Sequence, residues 1–586
     1  MKIRVTKSIA LIIAACMLTA LSACGGETGV IHSSALGATQ EVTSNETDQY
    51  ETTHENVTLS NMFYERPDID SMQAEVDDLI DGLDRGKPAD EMIELYETLQ
   101  QQYAHADSML SLAYLLYAFD VTEPYYKNEY AYLQSALSTL DADMESVSVQ
   151  LFESSDEAEE LARQSFGEGY VDNIMQADEF SDDTVQDLLD AEEQKTLEYD
   201  ELSATFTLLD NGRRWTLDEI MNDESLDYDE FYRLYDEYCA ALNERAGAIF
   251  LDQLAIRSRI AQKLGYADYA SYCYSVYGRD YSLDDAKMLQ AAVKQYIVPV
   301  FIEANNNSDT YDLADAEFDQ NGFLSALSNI ASDFSPLLDE SVDYLLQNNL
   351  YDFSVSANKM NGSFTTYISD YGAPYIFSQW YGDSTDIMTA LHELGHFTSY
   401  YYNAEVGYSA GDSLDLAEID SQALVLLMID YYDVFFGEYA QQAKTDILID
   451  AMYSLISGCM EDEFQQEIYQ NTDMTLDEIN ALYKELAVEY GLDEVYGYQG
   501  TEWVLISHTY QSPMYYISYA VSMVPSLELY EISQSDPQTA RASYFSILMR
   551  SQYDQLQSVL SESGMPSVFS ETTIRDIADL LEQTLN

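Results

Sequence analysis

The segment Thr389–Asn403 reads TALHELGHFTSYYYN and holds two of the chain's six histidines, His392 and His396, with Glu393 between them. Residues four apart on a helix project from the same face one turn apart, so the two imidazoles can bind one Zn²⁺ together. Glu393 is offset around the helix and can meet a water beside the metal instead of the metal itself. Zinc brings the pKa of such a water close to neutrality and polarises a carbonyl. A carboxylate can then take the water's proton and return it to a leaving amine. The chemistry implied is hydrolysis of an amide bond.

Zinc needs a third protein ligand. The extended pattern that supplies a third histidine on the same segment would need glycine and histidine where this chain has Ser399 and Tyr402. A glutamate on a neighbouring helix is the other common solution. After the loop NAEVGYSAGDS, a helical pattern starts near Ser413, and along it Leu414, Glu418, Ser421, Val425 and Met428 fall on one stripe. Glu418 is therefore an acid on a largely apolar face and needs a partner there. It follows His396 by 22 residues, room enough for the chain to turn and lie alongside the first helix. Glu418 is the preferred third ligand, with Glu405, at the first helix's end or in the loop, as competitor. Asp415 and Asp420 are candidates to orient a ligand imidazole.

Immediately upstream, GSFTTYISDYGAPYIFSQWYGDS (Gly362–Ser384) alternates as strands do, turns through Ser369–Gly372 and runs again over Pro374–Trp380. That predicts a hairpin beside the histidine helix, with Pro374 suited to an edge strand because proline cannot donate to a ladder. A free edge there could hold an extended peptide by main-chain hydrogen bonds. Gly382-Asp383-Ser384 supplies a loop and a helix cap. Elsewhere the pattern is helical, over Ala89–Phe119, Leu188–Leu208 and Tyr228–Leu264. The acidic run Ser154–Ala162 reads as a helix start or a solvated face.

The 586 residues are too many for one ordinary core and suit two lobes. With 25 Lys+Arg against 105 Asp+Glu, the formal charge of −80 repels phosphate backbones and anionic headgroups, so nucleic-acid binding is excluded as a function class. Lys2, Arg4 and Lys7 followed by the apolar run Ile9–Leu21 form a signal peptide over residues 1–23. The run ends in LSAC, which resembles a lipobox with Cys24 as the lipidated first residue of the mature protein. Residues 24–60, rich in Thr, Ser, Glu and Gly, read as a flexible tether. Cys239, Cys273 and Cys459 form no framework and are expected as buried thiols.

The chain resembles the M3 family of zinc oligopeptidases, in its oligopeptidase F-like branch. TALHELGHFTSY and LAEIDSQALVL are similar to that family's histidine helix and glutamate helix. GAPYIFSQWYGDSTDIMT resembles the preceding strand and lead-in, YGRDYSLDDAKMLQAAVKQYIVPV the approach to the catalytic domain, and SHTYQSPMYYISYAVS the downstream His/Tyr segment. The resemblance covers about Leu251–Tyr530. It implies a mainly α, two-lobed helical metallopeptidase with a deep central channel and a small β-sheet beside the active-site helix. The lobes would be residues 61–250 and 251–586. It implies one Zn²⁺ per chain on His392, His396 and Glu418, Glu393 as base, and His508, Tyr515 and Tyr519 as donors to substrate, with Tyr510 and Tyr516 as alternatives. Ser399 stands where relatives often carry a further histidine.

The expected protein is a monomeric zinc endopeptidase of short, unstructured oligopeptides, held at the outer face of a bacterial membrane only by a lipid on Cys24. A lipoprotein that captures peptides without cleaving them is the alternative from another class, but a pure binder has no need of Glu393. A zinc carboxypeptidase with similar helices is the third reading.

Overall fold

The structure, a computed structural model, describes residues 57–177, 183–223, 225–307, 313, 316–403, 413–551 and 553–585. The signal peptide, Cys24, most of the tether, and Glu405 with its loop lie outside the described residues. Where apolar side chains recur every three or four residues and Gly and Pro are scarce, the chain forms long helices. Eight of them bear on the site and are labelled in chain order. They are α1 (Ala89–Phe119), α2 (Asp183–Thr205), α3 (Tyr228–Leu264), α4 (Ser384–Asn403), α5 (Leu414–Leu427), α6 (Ala440–Gln470), α7 (Ile517–Ser535) and α8 (Pro537–Leu548).

Helices α1 and α3 coincide with the sequence expectation. α3 is capped by the Asp227 carboxylate, which accepts from the Glu230 amide, and closed by Gly265 at φ 82°. It carries the chain through position 250 without a break. The helix expected over Leu188–Leu208 ends earlier, at Thr205, because Asn211 and Gly212 adopt positive φ and form a tight turn. That turn folds β1 (Leu208–Asp210) back on β2 (Arg213–Trp215) as an antiparallel pair.

The hairpin ahead of α4 also forms. β4 (Phe364–Ile368) pairs antiparallel with β5 (Ala373–Phe377) through a turn closed by Gly372 at φ 56°. Its edges differ from expectation. A two-residue strand, β3 (Tyr351–Asp352), pairs parallel with Ile376 and Phe377, giving the order β3-β5-β4, so β5 is the central strand and β4 an edge. Pro374 is tolerated because β3 is too short to reach it; the proline lies ahead of the three-stranded part.

The sheet packs on α4, and β4 also lies against α1. Helix α5 is central, packed against α4, α7 and α8, with α7 lying in turn on α6. It is buried on nearly every side. From Asp415 to Leu427 only Ala417 escapes full burial, whereas Leu414, expected on the inward stripe, stays exposed at the helix start. Cys239, Cys273 and Cys459 are buried free thiols. No helix among the described residues is long and apolar enough to cross a membrane.

Candidate metal centre and active site

Asp383 starts α4 by accepting from the Thr385 and Asp386 amides, so the histidine helix is fixed at its entry. About two and a half turns further on, the His392 and His396 rings stand 5.0 Å apart at 80° to each other. Helix α5 approaches this face closely because residue 395 is glycine. A Cβ there would lie 2.3 Å from the Asp420 carbonyl oxygen and 2.5 Å from Ser421 Cα. The approach brings Glu418 in. Its Oε2 lies 3.8 Å from His392 Nε2, and one donor atom from each of His392, His396 and Glu418 falls within 4.8 Å of the others.

These residues fit a tetrahedral zinc ion. Ligands roughly 2.0–2.2 Å from such an ion lie about 3.5 Å from one another, so a small rotamer adjustment closes the set. Burial pushes the His392 imidazole down to about 4 and His396 well below its ordinary value, where His392 and Arg550 add to the effect. Both rings are thus held in the neutral form that ligates metal. His392 keeps 27% of its side chain exposed while Glu418 keeps 6%, so approach to the set is from the histidine side.

Glu393 is buried, and its carboxyl is pushed up to about 8 by burial and, to a lesser degree, by Glu418, against the lowering effect of a hydrogen bond from Thr365. The Thr365 hydroxyl, on β4, donates to Glu393 Oε2 at 2.7 Å and lies 3.1 Å from the Glu393 carbonyl oxygen. The Asp420 carboxylate is held by Arg550 at 2.8 and 3.1 Å in a fully buried ion pair, and its carbonyl accepts from the Tyr544 hydroxyl. Asp415 faces the buried Arg279 guanidinium at 3.7 Å.

The downstream segment forms a second cluster. His508 stacks near Tyr515, with ring centroids 5.1 Å apart at 28°, and meets Tyr516 and Tyr519 edge-on at 5.2 and 6.1 Å. Burial pushes its imidazole down to about 4, so it is neutral and able to donate. A Ser522–Gln422 hydrogen bond of 3.2 Å joins α7 to α5 about one turn from Tyr519 and one turn from Glu418. Tyr510 belongs elsewhere: fully buried, it stacks on Tyr199 at 3.7 Å, in the core.

Residues that sequence reasoning passed over hold this cluster. The Thr509 and Tyr510 carbonyls accept from fully buried Arg257, at 2.8 and 2.6 Å, and the Tyr510 carbonyl accepts also from Thr196 and Gln253. Arg257 is anchored by Glu192 at 2.6 Å and bonds the Tyr469 hydroxyl. Its signal was present: Phe250, Leu254, Arg257 and Ala261 share one stripe of α3, so a cation stood where an apolar residue belonged. Met514, just ahead of Tyr515, is held at φ 64° with its amide donating to Gln465. Thr365 has no local signal.

Comparison with known proteins bears on this arrangement directly. Residues 59–177 match the family profile described as the peptidase M3 N-terminal domain, and residues 322–577 match that of peptidase family M3. No curated protein sequence matches. Among solved structures, a putative oligoendopeptidase F is 22% identical with a TM-score of 0.74, covering 90% of this chain and 98% of that one. PZ peptidase A with an inhibitor gives 22% and 0.74, covering 90% and 99%. A putative oligoendopeptidase F from Bacillus anthracis gives 20% and 0.71, covering 90% and 98%. At these identities the likeness to solved structures is one of fold. The two family matches together span well over half of the chain, the second contains the His–His–Glu set, and the chain belongs to peptidase family M3 as a metallopeptidase.

Proposed function

We propose that the protein is a zinc-dependent endopeptidase of short, unstructured oligopeptides. The observation that carries this reading is the convergence of His392, His396 and Glu418 with the buried carboxyl of Glu393 beside them. A zinc ion held by those three ligands would supply Lewis acidity to the attacking water and the scissile carbonyl. Glu393 takes the proton of the attacking water and delivers it to the leaving nitrogen, so the N–H bond forms as the C–N bond breaks. His508, Tyr515 and Tyr519 donate to the carbonyl oxygen as charge grows on it, each good donor being worth ~3 kcal/mol. The free edge of β4 receives the peptide backbone as an added strand. Selection for oligopeptides comes from a channel between two lobes, too narrow for folded chains, with the unbroken α3 crossing the boundary first expected at residue 250.

Metal analysis together with cleavage of a quenched fluorescent peptide of about ten residues tests this reading. The expected result is roughly one zinc per chain, loss of activity in chelator, and near-complete loss in Glu393→Gln with zinc retained. A metal-free wild-type protein, or a Glu393→Gln variant as active as wild type, overturns it. Glu418→Ala should release zinc and Glu405→Ala should not. Product analysis separates internal cleavage from removal of C-terminal residues. The protein is also proposed to act as a monomer outside the cell, anchored through a lipid on Cys24. Expressed in a bacterium, wild type should partition into the detergent phase and Cys24→Ala should not; identical partitioning would remove the anchor from the proposal.

A further inference from the structure

The geometry points to Thr365 as a positioning residue for Glu393, fixing the base to the strand that receives the substrate; this rests on the reading of Glu393 as base. Glu393 is 1% exposed, and among the described residues the hydroxyl of Thr365 is the hydrogen-bond donor that reaches its carboxylate. The terminal torsion of a glutamate is broad and roughly two-fold, so an unheld carboxylate swings between orientations. A donor 2.7 Å from Oε2 removes that freedom and leaves Oε1 as the oxygen available to take a proton. Threonine suits the task because its branched Cβ restricts the side-chain torsion, so the hydroxyl is itself held in place.

The other end of the contact is equally fixed. Thr365 pairs with Ile376 in a five-residue antiparallel register, and the preceding Phe364 stacks on Phe377 at 4.8 Å. The turn of the same hairpin is tied to α1. The Asp370 amide donates to Ser108 Oγ, and the Asp370 carboxylate meets His105 Nδ1 at 2.5 Å. Because β4 is the edge strand, a peptide added to it and the base bonded to it share one rigid frame. The hydroxyl touches the base and not the substrate, so its loss should appear in turnover and leave peptide affinity alone.

The test measures kcat, KM, zinc content and melting temperature for wild type, Thr365→Val, Thr365→Ser and Glu393→Gln on the same decapeptide. Valine keeps the shape of threonine without the donor. The expected result for Thr365→Val is kcat reduced ~20-fold, with KM within about 2-fold and zinc and melting temperature at wild-type values. Thr365→Ser should return kcat to within about 3-fold of wild type, because the hydroxyl is restored. Unchanged kcat in Thr365→Val, a loss confined to KM, or serine no better than valine overturns the proposal. If Thr365→Val does not fold, Thr365→Ala replaces it: alanine low and serine high supports the role, and equal values overturn it. Glu393→Gln separates the two levels. An inactive Glu393→Gln with a fully active Thr365→Val removes only Thr365's role, whereas an active Glu393→Gln removes the base on which it rests.

Discussion

Two residues that carry no chemistry, Gly395 and Arg550, flank the contact by which α5 brings Glu418 to the two histidines. Gly395 sits inside the histidine motif and reads in sequence as a spacer, yet the atoms that a Cβ would strike, 2.3 and 2.5 Å away, belong to the backbone of α5. Backbone cannot rotate aside, so Gly395→Ala must push α5 away and carry Glu418 from the imidazoles. The expected outcome is a loss of ~2–3 kcal/mol in stability with a marked fall in zinc affinity, read by thermal unfolding and metal titration. Unchanged zinc affinity would show that the helices have room. Arg550 acts from the other side of α5. It and Asp420 are 2% and 1% exposed, so Arg550→Met leaves a buried carboxylate without its main counter-charge, at ~3–5 kcal/mol. At this scale the candidate site was largely legible in sequence, because helical spacing groups His392, Glu393 and His396 and an acid on an apolar stripe singles out Glu418, which the structure brings to the two histidines. Thr365 and Arg550 were not. Their partners lie 28 and 130 residues away, and nothing local to either residue signals the contact.

Among the elements, the long helices and the five-residue strands of the hairpin were readable and the two- and three-residue strands were not, for a physical reason. α1 and α3 extend over 31 and 37 residues, many periods of an apolar stripe, so their limits are set by the pattern and its caps. β3 has two residues and exists only because β5 presents a free edge to it, a tertiary fact without local sequence. The same distinction marks the His508 segment. Its residues were visible, but what holds them is a meeting of α2, α3 and α6 at Glu192, Arg257 and Tyr469. The Arg257 fork spans two consecutive carbonyls and a carboxylate, which a lysine ammonium cannot reproduce. Arg257→Lys is therefore expected to lower kcat/KM ~10–100-fold while zinc content stays at the wild-type value, since none of these contacts touches a ligand. Zinc loss in that variant would mean that the two clusters stand or fall as one unit.

Over the whole molecule, charge and burial make separable demands on stability. The formal charge of −80 is nearly constant between pH 6.5 and 8.5, because exposed carboxylates are already ionised there. Buried carboxyls are not. Glu461 and Glu528 are 2% and 4% exposed, and burial pushes them up to about 8 and about 9, with Glu531 adding to the second. A folded-state pKa above the unfolded value means that the unfolded chain gives up its proton first. The stability these groups contribute is complete below the ordinary glutamate range and is lost as pH rises toward 8 and 9. His392, His396 and His508 act oppositely, since their lowered folded values lose stability as pH falls below the ordinary histidine value. That contribution is still rising at pH 6.5, the ordinary imidazole value, and is complete about one unit higher, beyond which the carboxyls act alone. In metal-stripped protein the melting temperature should fall by roughly a few degrees from pH 6.5 to 8.5. Salt, which screens the surface repulsion, should raise the whole curve without flattening it, because a buried group is poorly screened. Glu461→Gln and Glu528→Gln should lessen its slope, with Glu393 and Asp450, pushed up by burial to about 8 and about 7, supplying the rest. A slope that salt removes and the two glutamines leave intact would assign the effect to the surface charge instead.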